Sequence, residues 1–175
     1  MTEPHEDPAC DVAHGHRADA DTDRTLVAVF ASPVAGYLLH FARDAGYRAV
    51  LAEPDPDRAH AATVPAGVLV TADAGKYLDE TADLVVTDHH RPEIGVVLRD
   101  GLASKARWVG IMGNPRHPGP HIPALAELGV PDEEIARVHR PIGLNIGSRT
   151  PPEIALATLA GLIADRNGRP GGFEF

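Results

Sequence analysis

The stretch Pro141-Ile142-Gly143-Leu144-Asn145-Ile146-Gly147-Ser148-Arg149 gathers an amide, a hydroxyl, a cation and two glycines just ahead of Thr150-Pro151-Pro152-Glu153. That tetrapeptide reads as a capping box with proline in the first helical turn. The amino end of a helix carries unpaired N–H groups and a partial positive charge. Gly143, Asn145, Gly147, Ser148 and Arg149 therefore form the best candidate ligand loop, suited to an anion such as phosphate. The structural alternative is that Gly143 and Gly147 only supply turns that need positive φ.

Three further segments carry candidate chemistry. Gly110-Ile111-Met112-Gly113-Asn114-Pro115-Arg116-His117 closes an apolar run with a glycine, an amide and a cation, and Asn114 and Arg116 suit an anionic or heteroaromatic ligand as well as they suit an ordinary turn. Asp88-His89-His90 follows another apolar run. Adjacent histidines diverge on an extended chain, so a metal chelate needs further ligands, and a capping or exposed role is the simpler reading. Phe30-Ala31-Ser32-Pro33-Val34-Ala35-Gly36 stands where a dinucleotide-binding domain has G-x-G-x-x-G, and the fingerprint is absent. Ser32 can still cap a helix that Pro33 begins. Glu53 stands where a ribose-binding acid would be, and without the glycines it reads as a solvated acid at a strand end. His40, His60, His121 and His139 read as surface or packing residues, and G-x-S-x-G, H-E-x-x-H and P-loop patterns are absent.

The elements that must position these groups alternate along the chain. Short apolar runs at Leu26–Phe30, Arg48–Leu51, Val68–Val70, Leu84–Thr87 and Trp108–Met112 predict strands. Helical stretches are expected at Val34–Ala45, Ala72–Glu80 and Pro92–Leu102, then from about Ile122 to Leu128 with Gly129 as C-cap, in a turn opened by Pro131-Asp132-Glu133-Glu134, and from Thr150 to about Arg166. Strands of nearly continuous apolar character separated by helices specify an α/β, Rossmann-like three-layer fold with a mainly parallel, doubly wound sheet. In such a sheet the residues just beyond the strand carboxyl ends face the ligand crevice, and Ser32, Asp88, Asn114 and the 143–148 segment are expected to share one pocket there.

Composition bounds the rest. The 175 residues suit one domain, with 16 Lys+Arg against 25 Asp+Glu and a formal charge of −9. No cluster of basic residues is present, which argues against nucleic acid as a partner. A single cysteine, Cys10, excludes an intramolecular disulfide and points to the cytoplasm. No apolar run reaches the ~20 residues of a bilayer span, and Met1–Arg24 has no signal-peptide core. Residues 1–24 are acidic, with His5, His14 and His16 among them, and read as a solvated, disordered tail. The folded domain is expected over residues 25–166 and a second tail over 167–175, where Phe173 and Phe175 would dock onto a partner or a neighbouring copy in a homo-oligomer.

Trp108-Val109-Gly110-Ile111-Met112-Gly113, followed by Leu128-Gly129-Val130-Pro131 and the ordered block Pro141 to Ala155, resembles the XdhC/CoxI family. The resemblance covers the family's C-terminal Rossmann-like domain. It implies an accessory protein that matures, protects or inserts the molybdenum cofactor, a molybdopterin, for a molybdenum hydroxylase client of the xanthine or carbon monoxide dehydrogenase type. A binding or insertion factor is implied rather than a catalyst. Its expected cofactor-binding residues are Ser32, Asp88, His89, Asn114, Arg116, Gly143, Asn145, Gly147, Ser148 and Arg149, with no metal ligands. Only the acidic segment precedes Thr25, so a function of the family's separate N-terminal domain is expected to come from another chain or to be lost. Two other readings are a small Rossmann oxidoreductase using NAD(P) or a flavin, and a degenerate interaction module. The missing glycines count against NAD(P), and the intact 143–153 block counts against the degenerate module.

Overall fold

A computed structural model of the chain describes residues 23–114 and 116–172. The acidic residues up to 22, Pro115, and both Phe173 and Phe175 lie outside the described residues. Five parallel strands form one sheet in the order β3-β2-β1-β4-β5. They are β1 (Thr25–Val29), β2 (Arg48–Ala52), β3 (Leu69–Thr71), β4 (Ala82–Val86) and β5 (Trp108–Ile111). The order reverses between β1 and β4, which sets a crevice at their carboxyl ends. The Rossmann-like class expected from the alternation is the observed one.

Side-chain alternation sorts each strand onto two cores. Val27, Val29, Val50, Leu84, Val86 and Ile111 meet Ile94 and Leu98 of α3 (Ile94–Ala103) and Leu125 of α4 (His121–Glu127). Leu26, Ala28, Leu51 and Val85 face the other way, onto Leu38, Leu39 and Ala42 of α1 (Pro33–Asp44) and onto Ala155, Leu159 and Leu162 of α6 (Pro151–Arg166). Burial on both faces is why these strands lack a polar side.

Two local readings need correction. Ala72–Glu80 is not an α-helix: only a short 3₁₀ turn, Ala74–Tyr77, forms there, because Asp73 turns the chain by accepting the N–H of Gly75. A short helix, α2 (Pro56–Ala61), stands in the β2–β3 connection, where none was expected. Asp55 caps it by accepting the N–H groups of Asp57 and Arg58, and Pro56 begins it. The turn at Pro131 becomes α5 (Asp132–Ile135), and Gly129 ends α4 at φ +74° as expected.

Beyond β5 the sheet gains one more rung. The His139 N–H donates to Val109 O at 3.0 Å, and the Ile111 N–H donates to His139 O at 3.1 Å. The His139 ring stacks on Trp108 with centroids 4.7 Å apart. This anchors the chain just ahead of the Pro141–Arg149 loop.

Candidate functional site

The first strand-to-helix turn is tightly self-satisfied. Phe30 adopts φ +73°, a left-handed conformation usually left to glycine. Ser32 Oγ accepts the N–H of Ala35 at 3.0 Å and donates to Thr87 Oγ1 at 3.0 Å, bridging β1 to β4. Thr87 in turn donates to the carbonyls of Val29 and Phe30. Pro33 has no N–H, and the Gly36 N–H is bound to the Ser32 carbonyl. Little of the usual anion-binding capacity of a helix amino end remains at α1.

Glu53 is not solvated. It is 1% exposed, accepts the N–H of Ala31 at 2.8 Å and is paired with Arg91 through two contacts of 3.1 Å. Arg91 also binds Glu93 and lies 4.5 Å from the Phe30 ring centroid. Those contacts drive the Arg91 pKa upward, led by Glu93, and hold the Glu93 carboxyl below its ordinary value. The acid at the end of β2 therefore props up the turn and is not free for a ribose.

On the other side of the α1 amino end, a cleft of about 730 Å³ opens at the carboxyl edge. His89, Asn114, Arg116, Gly143, Asn145, Gly147 and Ser148 line it, together with apolar Val34, Met112, Ile142, Leu144, Ile146 and Ile154. Ser32 instead borders a separate cleft of about 630 Å³ between α1 and the 61–65 segment, lined mostly by apolar groups. Asp88 closes its own turn by accepting the N–H of His90, and neither it nor Arg149 lines the larger cleft. The expected single pocket is thus divided by the α1 amino end.

Within the cleft, much of the polar inventory remains available. Asn114 Oδ1 accepts the N–H of Arg116 at 2.9 Å, and the Asn114 amide NH₂ makes no hydrogen bond to the described residues. Ser148 Oγ donates weakly to the Glu153 carbonyl at 3.3 Å. Burial, reinforced by neighbouring His90, lowers the His89 pKa, so near neutral pH the imidazole is uncharged and offers one donor and one acceptor. The His89 and His90 rings lie 4.1 Å apart, and among the described residues no group of three or more His, Cys, Asp or Glu could hold a metal ion.

The helix end beside this loop differs from the expected anion site. Pro151 and Pro152 have no N–H, while the Glu153 carboxylate accepts the N–H groups of Arg149 at 2.8 Å and Thr150 at 3.1 Å. Those bonds hold the Glu153 carboxyl below its ordinary value. Its negative charge fills the position an anion would take. Gly143 explains the path of the loop: at φ +84° its backbone lies on α6, where a Cβ would come 2.9 Å from Thr158 N and 3.0 Å from Ala157 O. Gly147, at φ +71°, faces open space.

Sequence reading misses Thr87, Arg91 and Arg140. Arg91 follows Asp88-His89-His90 at a strand end, and that position is the signal that could have found it. Arg140 stands alone between His139 and Pro141, and nothing local marks it.

Comparison with known proteins places this geometry in a family. The XdhC Rossmann domain matches residues 26–162. The chain belongs to the XdhC family. A stretch of 65 residues, 37% of this chain, is 43% identical to the protein YqeB of Escherichia coli strain K12 and covers 12% of it. The fold is similar to that of a solved xanthine dehydrogenase from Bacillus halodurans, with a TM-score of 0.65 and 23% identity over 87% of this chain. The chain spans 45% of that protein and a smaller share of YqeB, so it corresponds to one part of each. XdhC membership agrees with the expectation drawn from the Pro141–Ala155 block.

Proposed function

We propose that this XdhC-family protein is a cytoplasmic accessory factor that holds the molybdenum cofactor for a molybdenum hydroxylase client, and that it binds or delivers rather than catalyses. Family membership supports the accessory role. The observation that carries the cofactor reading is the mixed lining of the 730 Å³ cleft, in the size range of small-molecule sites. Apolar Val34, Met112 and Ile142 suit the faces of a flat heterocycle, and the donors of Asn114 and Asn145 suit its edge. Arg116 has no carboxylate partner among the described residues and suits a phosphate. Arg116 replaces the α6 amino end in that role, because Glu153 already occupies the latter. Bound there, the cofactor would bring its own redox chemistry, while the chain's residues orient it and shield one face from water.

The self-satisfied α1 turn weighs against a bridging pyrophosphate and hence against tight NAD(P) binding. The test is to mix the protein with molybdopterin released from a denatured molybdoenzyme, remove free ligand by gel filtration and measure the retained pterin as its oxidised fluorescent derivative. The wild type should retain it. Arg116→Ala and Asn145→Ala should each weaken retention by about tenfold, the scale of a lost charge-assisted or buried hydrogen bond. No retained pterin, together with micromolar NAD(P) affinity and hydride transfer, would replace this reading with the oxidoreductase one.

A further inference from the structure

Arg140 links the sheet edge to the loop that brings Asn114 and Arg116 into the cleft. Its Nη2 donates to the Asn114 carbonyl at 2.7 Å and its Nη1 to the His117 carbonyl at 3.1 Å. A glycine at position 113 admits the side chain, since a Cβ there would lie 2.7 Å from Arg140 Nε; the glycine at 119 instead makes room for the His121 ring, whose Cε1 a Cβ would meet at 2.4 Å. The base of the side chain is fixed too, because His139 forms the added rung of the sheet and stacks on Trp108.

The partners Arg140 lacks are equally informative. In this acidic chain Arg91, Arg107 and Arg166 each pair with a buried carboxylate, Glu53 or Asp83. Arg140 pairs with no carboxylate among the described residues, and its buried Nε has no hydrogen-bond partner. Two carbonyl dipoles hold a full charge that no described carboxylate pairs. We infer that Arg140 is the positioning residue of this cleft: it clamps the carbonyls of Asn114 and His117, fixing where the cleft's Asn114 and Arg116 stand, and places beside them a positive charge that no described carboxylate pairs.

The surrounding imidazoles respond to that charge. His89 lines the cleft. Burial depresses its pKa first, then the adjacent His90; Asp88 opposes the shift and Arg140 adds to it. His121, buried beneath Gly119, is depressed by burial and then by Arg140. Arg140 thus helps keep the cleft's imidazole neutral, ready to donate and accept, without touching the ligand itself.

The inference rests on the cleft being the ligand site, but its test needs no ligand. NMR titration of the His89 ring is combined with hydrogen exchange at the Arg116 and His117 amides, which bond to Asn114 inside the loop. In Arg140→Gln the His89 pKa should rise, and both amides should exchange at least about tenfold faster. Arg140→Lys should keep the low His89 pKa, because the charge remains, and still lose amide protection, because one ammonium cannot hold both carbonyls in the same geometry. That variant carries the test if Arg140→Gln does not fold. Unchanged exchange in a folded variant would overturn the clamp, and an unchanged His89 titration in folded Arg140→Gln would overturn the electrostatic role. A wild type that retains no molybdopterin would defeat the cofactor reading and leave these two outcomes standing.

Discussion

Alanine at Gly143 would place a methyl group against the backbone of α6. The new Cβ would lie 2.9 Å from Thr158 N and 3.0 Å from both the carbonyl carbon and oxygen of Ala157, none of which can move without moving the helix. The helix is itself close: a Cβ at Gly161 would meet Gly143 Cα at 3.0 Å, and the Leu144 N–H donates to Ala157 O at 3.0 Å. Two costs add. An L-residue at φ +84° costs roughly 1–2 kcal/mol, and the overlap forces a backbone shift worth about 1–3 kcal/mol. A loss of about 2–5 kcal/mol, at ~2–4 °C per kcal/mol for a domain of this size, lowers the melting temperature by roughly 4–20 °C. Gly147→Ala is the internal control, since Gly147 has φ +71° but a methyl group there would meet nothing within 4 Å, and only the conformational cost of about 1–2 kcal/mol applies. Thermal unfolding followed by circular dichroism, with urea titration alongside, measures both. The reasoning fails if Gly143→Ala melts within about 2 °C of wild type, or if Gly147→Ala is the more damaging of the two.

Buried groups give two more expected outcomes. Glu53→Gln should cost roughly 3–5 kcal/mol in urea denaturation, because it leaves Arg91 buried with only the partly exposed Glu93; a loss below about 1 kcal/mol would show that the pair does not hold the turn. His121 has a depressed pKa, so the folded state binds fewer protons than the unfolded one between the folded value and about 6.5. Its contribution is therefore present above about pH 6.5 and is lost as pH falls through the folded pKa, and His121→Gln should flatten the decline in stability between about pH 7.5 and 5.5; an unchanged slope would place the acid sensitivity elsewhere.

The sheet and its order of elements were legible because strand and helix signals are local. The period of the apolar residues reports which faces are buried, and Thr150-Pro151-Pro152-Glu153 fixes the start of α6, which ends at Arg166 as expected. Asp55-Pro56 is an equally local signal for α2, but that helix is short and buries none of its residues, so no apolar period accompanies the cap. Ends of apolar runs also pointed to a convergence: residues from the segments after β4 and β5 and from the 141–148 loop line one cleft. Which residues face that cleft was decided only by contacts between distant parts of the chain. Ser32 is drawn to Thr87 across 55 residues, Glu53 to Arg91 across 38, and Arg140 to Asn114 across 26. A donor, an acid and a cation carry no mark in sequence of the partner they will find, because that choice depends on which backbones the folded sheet brings within hydrogen-bond reach.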